Sequence, residues 1–268
     1  MLKNRATAEG TSAYASRHAD LSGNFRPVMG LSLASIGIGT YLGETDEETD
    51  RAYEEAIRAS LNGGINLIDA AVNYRFQRSE RNIGKVVGEM VAAGELKREE
   101  IAIATKGGYI TFDGEVPADP RGWFEEHYVR TGIVSPGEMV EGSHCMTPKY
   151  LATMLEMSRR NLGLETIDIY YVHNPETQLA AVARKEFLTR IGKAFEFLES
   201  AVAENKIANY GIATWNGLRA QQTERTWLSL DELLRVAREV AGDAHHFKWI
   251  QLPYNLAMPE AVTLANQG

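Results

Sequence analysis

Short apolar segments recur along the chain, and none of them alternates strictly between apolar and polar positions. Continuous apolarity indicates strands that are buried on both faces, as in a parallel sheet covered by helices. The pattern therefore predicts six strands, at residues 33–39, 66–70, 101–105, 167–172, 208–213 and 249–252.

Amphipathic segments with helical spacing separate these strands. Gly63 and Gly163 stand where two of them end, and Thr147 with Pro148 gives a third an N-cap and a first-turn proline. Strand–helix alternation with short connections predicts parallel strands joined by right-handed crossovers. Periodicity alone leaves two architectures open, a closed-type barrel and an open doubly wound sheet. The predicted helices are residues 46–62, 79–93, 147–162, 185–205 and 228–240, with a further one beginning at 261–266.

Two segments interrupt the alternation. Residues 1–32 precede the first strand and carry turn-forming residues around Gly23, which predicts an N-terminal arm or hairpin. Residues 107–146 form a long insertion after the third strand. A connection of this length is either a functional lid or disordered, and the sequence leaves both open. The predicted domain is then residues 33–268, with the insertion inside it.

Composition and charge narrow the function. The 268 residues carry 28 Lys+Arg against 36 Asp+Glu, so the net charge of −8 argues against a nucleic-acid partner. Cys145 is the one cysteine, which suits a reducing compartment. Because the N-terminus is polar and no apolar stretch is long enough for a membrane helix, we expect a cytoplasmic protein without a membrane partner.

Polar side chains follow three consecutive predicted strands. Asp69 ends the second strand and Tyr74 comes five residues later, while Lys106 ends the third strand and His173 ends the fourth. Ligands of barrels and parallel sheets bind outside the carboxyl ends of the strands. We therefore expect these four side chains to converge at one rim.

These side chains suit the reduction of a carbonyl group. A tyrosine hydroxyl has a reference pKa of about 10, and a nearby ammonium lowers that pKa. A carboxylate keeps the lysine charged, and an imidazole holds the substrate oxygen in place. Together they form a general acid for an oxygen that gains charge as hydride reaches its carbon.

The segment from Gly64 to Tyr74, continued by Ser79, resembles a motif of the aldo-keto reductase family, and the segment ending in His173-Asn-Pro175 resembles a second one. The resemblance implies an α/β fold of the (β/α)8 TIM-barrel type, here incomplete with about six strand–helix units. It also implies NADPH as cofactor, with NADH possible, and a small-molecule carbonyl substrate.

The resemblance further implies a role for each residue of the set. Tyr74 is the acid–base residue, Lys106 and Asp69 tune it, and His173 orients the carbonyl. The end of the first strand contacts the cofactor, and a glutamine in the sixth strand contacts the nicotinamide carboxamide. Those cofactor-binding residues are Gly39, Thr40, Tyr41 and Gln251.

One part of the cofactor site departs from the family pattern. After the fifth strand the family usually has Gly-Val-Ser-Asn, whereas this chain has Thr214 followed by Trp215 and Asn216. Thr214, or Asn216 after a register shift, replaces the Ser-Asn pair, or Trp215 lines the substrate pocket and Thr214 is a turn residue. Tyr109 in the insertion is a second candidate for the pocket.

Two other functions remain open at this stage. Lys106 would serve as a Schiff-base nucleophile in an aldolase-type barrel, provided that it is neutral. Alternatively, a truncated barrel would act as a non-catalytic binding or regulatory subunit. No metal site is expected, because His144 and Cys145 are only two potential ligands and lie in the insertion.

Overall fold

A computed structural model describes residues 1–135 and 137–267. Within those ranges the helices are α1 (Ala8–Arg17), α2 (Glu47–Asn62), α3 (Arg78–Ala92), α4 (Pro120–Phe124), α5 (Pro148–Leu162), α6 (Arg184–Ala203), α7 (Leu230–Ala241) and α8 (Glu260–Thr263). The strands are β1 (Phe25–Val28), β2 (Leu31–Ala34), β3 (Ile38–Gly39), β4 (Leu67–Asp69), β5 (Ala102–Gly107), β6 (Ile167–His173), β7 (Ile207–Ala213) and β8 (Phe247–Gln251).

The larger sheet has six strands that follow one another in chain order, β3-β4-β5-β6-β7-β8. The pairs β3–β4, β4–β5 and β7–β8 are parallel. A doubly wound sheet would reverse its strand order at a switch point, and this order contains no reversal. The sheet is therefore wound as in a (β/α)8 barrel, and the open doubly wound alternative is excluded.

The predicted first strand, residues 33–39, is wrong in its extent. Its first half belongs to β2, which pairs antiparallel with β1 from Phe25↔Ala34 to Val28↔Leu31. Only Ile38 and Gly39 join the parallel sheet, as β3. An antiparallel hairpin satisfies the backbone groups of β2 locally, so one apolar run serves two different sheets.

The N-terminal residues contain a helix that hydrophobic spacing did not predict. Thr7 caps α1, because its side-chain oxygen accepts a hydrogen bond from the Gly10 amide at 3.0 Å. The helix buries few side chains, chiefly Thr11 and Tyr14, and the Tyr14 hydroxyl donates to the carbonyl of Leu61. A helix held by so few buried positions leaves a weak apolar pattern in the sequence.

The chain divides into two compact units, each with its own buried side chains. The first comprises Met1–Thr105, Thr111–Val116 and Glu156–Ile169, and the second comprises Lys106–Ile110, Pro117–Leu155 and the chain from Tyr170 onward. The first unit also buries an ion pair, in which Arg98 donates to Asp168 at 2.6 Å. Fully buried aliphatic and aromatic side chains fill both cores, with Ile57, Ile68 and Ile83 in the first and Ile191, Phe195 and Ile212 in the second.

The insertion after β5 is hydrogen-bonded at its base and contains helical turns. In the second unit the Ile110 amide donates to the Ser143 carbonyl at 2.8 Å, and the Cys145 amide donates to the Gly108 carbonyl at 2.8 Å. The segment includes α4 and a following π-helical turn at Glu125–Val129. Among the described helices of the chain, none combines the length and apolarity that crossing a bilayer requires.

Candidate active site

In the first unit the ends of β3 and β4 are fixed against each other. Gly39 pairs with Asp69 in the parallel register, and the Thr40 hydroxyl donates to the Asp69 carbonyl at 3.0 Å. Ser79, near the start of α3, donates its hydroxyl to the Thr40 carbonyl at 2.8 Å. Gly39 faces open space, since a Cβ built there would meet no atom within 4 Å.

Tyr74 lies in the same unit, beside the exposed ring of Tyr41. The two ring centroids are 4.9 Å apart. Burial raises the pKa of the Tyr74 hydroxyl, and the negative charge of Asp69 raises that pKa further. These effects keep the phenol protonated near neutrality, which is the form that a general acid needs. The lowering of the Tyr74 pKa by the ammonium of Lys106 stays a prediction.

The backbone after Tyr74 forms a left-handed turn built from three residues that are not glycine. Arg75, Phe76 and Gln77 have φ values of 48°, 51° and 75°. Such conformations cost free energy for residues with a Cβ and persist where surrounding contacts impose them. The turn is therefore a strained segment directly adjoining the candidate acid.

Two sets of contacts hold this turn. The buried guanidinium of Arg75 donates to the Glu44 carbonyl at 2.8 Å and to Asp50 at 2.7 Å. From the first unit's part of the insertion, the Gly114 amide donates to the Phe76 carbonyl at 2.8 Å. The Gln77 amide in turn donates to the Phe112 carbonyl at 2.7 Å. Sequence analysis did not find these ties, because they join segments far apart in the chain.

In the second unit, Lys106 and His173 lie at the carboxyl ends of β5 and β6. Lys106 is almost fully buried, with 1% of its surface exposed. Burial lowers the pKa of His173 well below its usual value, and the positive charge of Lys106 lowers it further. His173 is therefore a neutral imidazole, able to donate or accept a hydrogen bond at neutral pH.

Tyr109, a predicted pocket residue, packs edge-on against His173. Their ring centroids are 5.1 Å apart with an interplanar angle of 88°. The Tyr109 hydroxyl accepts a hydrogen bond from Asn174 at 3.3 Å and lies 3.1 Å from the hydroxyl of Thr177. Residues that follow β6 thus hold the ring in place.

The loop after β7 forms a hydrogen bond to β8 and another within the loop. The Thr214 amide donates to the Gln251 carbonyl at 2.9 Å, and the Thr214 hydroxyl oxygen accepts from the Gly217 amide at 2.8 Å. Thr214 therefore shapes the turn. Trp215 is 57% exposed, and the half-buried side-chain amide of Gln251 has no hydrogen-bond partner among the described residues.

Glu176 is a site residue that sequence analysis missed. It is 4% exposed, and one carboxylate oxygen accepts from the backbone amides of Trp215 at 2.9 Å, Asn216 at 3.0 Å and Gly217 at 3.4 Å. Its position directly after His173-Asn-Pro175 was the available signal. A glutamate buried beside a strand end needs backbone donors, and the neighbouring loop supplies them.

The described contacts group the predicted site residues into sets within each unit. Gly39, Thr40, Tyr41, Asp69 and Tyr74 belong to the first unit. The remaining predicted residues belong to the second, where Lys106 and Tyr109 adjoin His173, and Thr214 is bonded to Gln251. Trp215 lies in the loop that Glu176 holds.

Comparison with known proteins gives one consistent result. The sequence profile of the Aldo/keto reductase family matches residues 35–232. Aldo-keto reductase YhdN from Bacillus subtilis is 40% identical over 193 residues, which are 70% of this chain and 45% of that protein. L-Glyceraldehyde 3-phosphate reductase from Escherichia coli K12 is 25% identical over 195 residues, with 72% and 45% covered. The chain thus spans about half the length of these curated relatives.

Solved structures support the fold. An aldo-keto reductase from Bacillus halodurans, in its holo form, superposes with a TM-score of 0.54 at 20% identity, covering 86% of this chain and 57% of that one. A glycerol dehydrogenase from Gluconobacter oxydans superposes with a TM-score of 0.55 at 22% identity, covering 88% and 57%.

Proposed function

Because this chain belongs to the aldo/keto reductase family, we propose that it reduces an aldehyde or ketone to an alcohol with NAD(P)H. The family uses a nicotinamide cofactor and small carbonyl substrates. One observation carries the proposal. Tyr74 follows β4 and its phenol pKa is raised, while His173 ends β6 and its imidazole pKa is lowered. A protonated phenol and a neutral imidazole are the forms that donate to a carbonyl oxygen.

We assign each residue of the set one step. Tyr74 gives its proton to the carbonyl oxygen as negative charge develops there, and His173 donates a hydrogen bond that orients the same oxygen. Asp69 keeps the Tyr74 proton in place before reaction, since its charge raises the pKa of the phenol. Lys106 stabilises the phenolate that remains after the proton has left.

The residues that we assign to the cofactor have the chemistry to bind it. When bound, NADPH supplies the hydride that reaches the carbonyl carbon. Gln251 offers an unused amide that matches a carboxamide, and Gly39 leaves space at the end of β3. We assign Thr40, Tyr41 and Thr214 to the walls of this site. We also propose the cytoplasm as the compartment, since the one cysteine, Cys145, is a buried free thiol.

The test is cofactor binding followed by turnover. NADPH is titrated into the folded protein while its fluorescence is recorded, and its oxidation at 340 nm is then followed with short-chain, sugar and aromatic aldehydes. We expect saturable binding and oxidation that depends on the aldehyde. A folded, monodisperse sample that binds no NADPH and no NADH would contradict the proposal and favour a non-catalytic subunit.

The burial of Lys106 favours one alternative, a Schiff-base enzyme, because a lysine that forms a Schiff base lies in a pocket shielded from water. The two reactions differ in what borohydride does. Reduction in the presence of a carbonyl substrate would link that substrate covalently to Lys106 in the alternative, and mass spectrometry of the digested protein would detect the adduct. We expect no adduct on Lys106.

A further inference from the structure

We propose that His144, at the end of the insertion, is a positioning residue for His173, and that Gln178 and Arg190 fix it in one tautomer. All four residues belong to the second unit. The catalytic part of this inference rests on the proposed function, because it concerns the residue that orients the carbonyl. The tautomer part does not depend on any activity.

A chain of hydrogen bonds sets the direction of each donor. Arg190 donates to the Oε1 atom of Gln178 at 2.6 Å, which fixes the orientation of that side-chain amide. The Gln178 Nε2 atom then lies 2.8 Å from Nδ1 of His144 and donates to it. Since Nδ1 accepts, the His144 proton is on Nε2, which donates to the His173 carbonyl at 2.7 Å.

Burial keeps this arrangement in a single protonation state. His144 is fully buried, and burial lowers its pKa to about 4, which the hydrogen bond to the His173 carbonyl only partly offsets. A neutral ring has one donor and one acceptor, and both are used here. His144 therefore anchors the main chain of His173 across the whole neutral pH range.

A glycine that follows β5, Gly108, makes the close approach of His144 to His173 possible. A Cβ on Gly108 would lie 2.8 Å from the His173 carbonyl oxygen and 3.0 Å from His144 Nε2, so only glycine leaves room for this hydrogen bond. Gly108 also has a φ of 151°, where residues with a Cβ are rare. Its carbonyl accepts from the Cys145 amide at 2.8 Å, which ties the end of the insertion to β5.

Aromatic packing couples the two imidazoles as well. The Tyr109 ring stands edge-on to His144 at 5.1 Å and edge-on to His173 at 5.1 Å. One phenol ring therefore contacts both histidines, while the backbone bond from His144 fixes the strand end. Displacing a positioning group by about 1 Å can lower turnover by about a hundredfold.

The first experiment reads the tautomer by ¹⁵N NMR of the imidazole nitrogens. In the unmodified protein we expect His144 to be neutral with its proton on Nε2. In Gln178→Glu the carboxylate can only accept, so we expect the proton on Nδ1. Arg190 remains available to pair with the new charge. A proton on Nδ1 of His144 in the unmodified protein would overturn the proposal.

The second experiment compares His144→Phe with His144→Gln. Phenylalanine keeps the ring but loses both hydrogen bonds, whereas glutamine offers an acceptor and a donor. We expect kcat to fall about tenfold or more in His144→Phe, with the NADPH Kd within about twofold, and partial recovery in His144→Gln. His127→Phe, an exposed position of the same insertion, is the matched control and should leave kcat unchanged.

The NMR resonances of the His173 ring test the positioning role even if the protein reduces no carbonyl. We expect them to shift in His144→Phe and to return toward their original positions in His144→Gln, whatever the reaction is. Shifted resonances without turnover would count against the proposed function alone. Unshifted His173 resonances in a folded His144→Phe protein, or an unchanged kcat, would count against the positioning role itself.

Discussion

The carboxylate of Glu176 accepts a hydrogen bond from the backbone amide of Trp215 at 2.9 Å. The amides of the next two residues point at the same oxygen, so one buried side chain organises three successive backbone donors. The other oxygen, Oε2, is buried and has no hydrogen-bond partner within residues 1–135 and 137–267. The Glu176 carboxylate, in the loop after β6, therefore fixes the backbone of the loop after β7.

Replacing Glu176 should loosen the loop that we assign to the cofactor. In Glu176→Ala three amides lose their acceptor, so we expect a loss of about 1–3 kcal/mol in the free energy of unfolding and weaker NADPH binding. Glu176→Gln keeps a carbonyl oxygen as acceptor, so its free energy of unfolding and its NADPH affinity should fall less. The measurements are urea unfolding and NADPH fluorescence, with the exposed Glu196→Gln as control. An unchanged NADPH Kd in Glu176→Ala would show that this carboxylate does not contribute to cofactor binding.

Removing the Tyr74 hydroxyl should abolish most turnover while the fold survives. Positioned acid–base catalysis contributes about 10²–10⁴-fold, so kcat of Tyr74→Phe should fall by about that factor. NADPH binding and Tm should change little, since the ring still packs beside Tyr41. Tyr254→Phe, at an exposed tyrosine, is the control. Near-normal kcat in Tyr74→Phe would mean that another group protonates the substrate.

The left-handed turn after Tyr74 should depend on Arg75. The Arg75 side chain is 1% exposed and bonds to the Glu44 carbonyl and to Asp50. Arg75→Ala should lower the free energy of unfolding by about 1–3 kcal/mol, because two partly buried hydrogen bonds to this side chain are lost. The comparison is urea unfolding beside Arg51→Ala, whose partner Glu47 is highly exposed. Equal midpoints for the two variants would show that Arg75 is not what holds the turn.

Acid should destabilise the fold through its buried histidines. The folded-state pKa of His144 is about 4, against 6.5 for the free side chain, and burial lowers the pKa values of His173 and His245 too. Below pH 6.5 the unfolded chain binds protons that the folded chain does not, so stability falls as the pH falls. Each such histidine contributes up to about 1.4 kcal/mol per pH unit.

Thermal unfolding between pH 7 and pH 5 measures this effect, in a range where most carboxylates stay ionised. His144→Gln removes one of these histidines, so the Tm of the variant should fall less steeply over the same range. A Tm that is flat from pH 7 to pH 5 in the unmodified protein would contradict the neutral, buried state of these histidines.

Local signals allowed much of the fold to be predicted. Apolar spacing and glycines at helix ends placed α2 through α7, apart from the short α4, within a few residues of their bounds. Apolar runs that stop at polar residues placed Asp69 and His173 at strand ends, where β4 and β6 do end. Such features depend on neighbours in sequence, so one chain is enough to read them.

The remaining features depend on contacts between distant segments. The residues before Glu176 mark a strand end, but they do not show that its carboxylate will meet the amides after β7, some forty residues later. His144 lies in an insertion without regular spacing, and its partner is a carbonyl 29 residues away. The division of residues 33–39 between two sheets likewise depends on pairing with β1, which apolar runs do not encode.

The turn at residues 75–77 has a consequence for engineering heat resistance. A method that ranks substitutions by local backbone preference would exchange Phe76 or Gln77 for glycine, since glycine adopts such conformations without strain. Yet the Phe76 ring lies 5.6 Å from that of Phe112, and Gln77 donates to the backbone of the same residue. Glycine at residue 76 or 77 would relieve the backbone strain but remove one of these two contacts with Phe112. A variant chosen for thermal stability would therefore hold Tyr74, at the start of the turn, less rigidly.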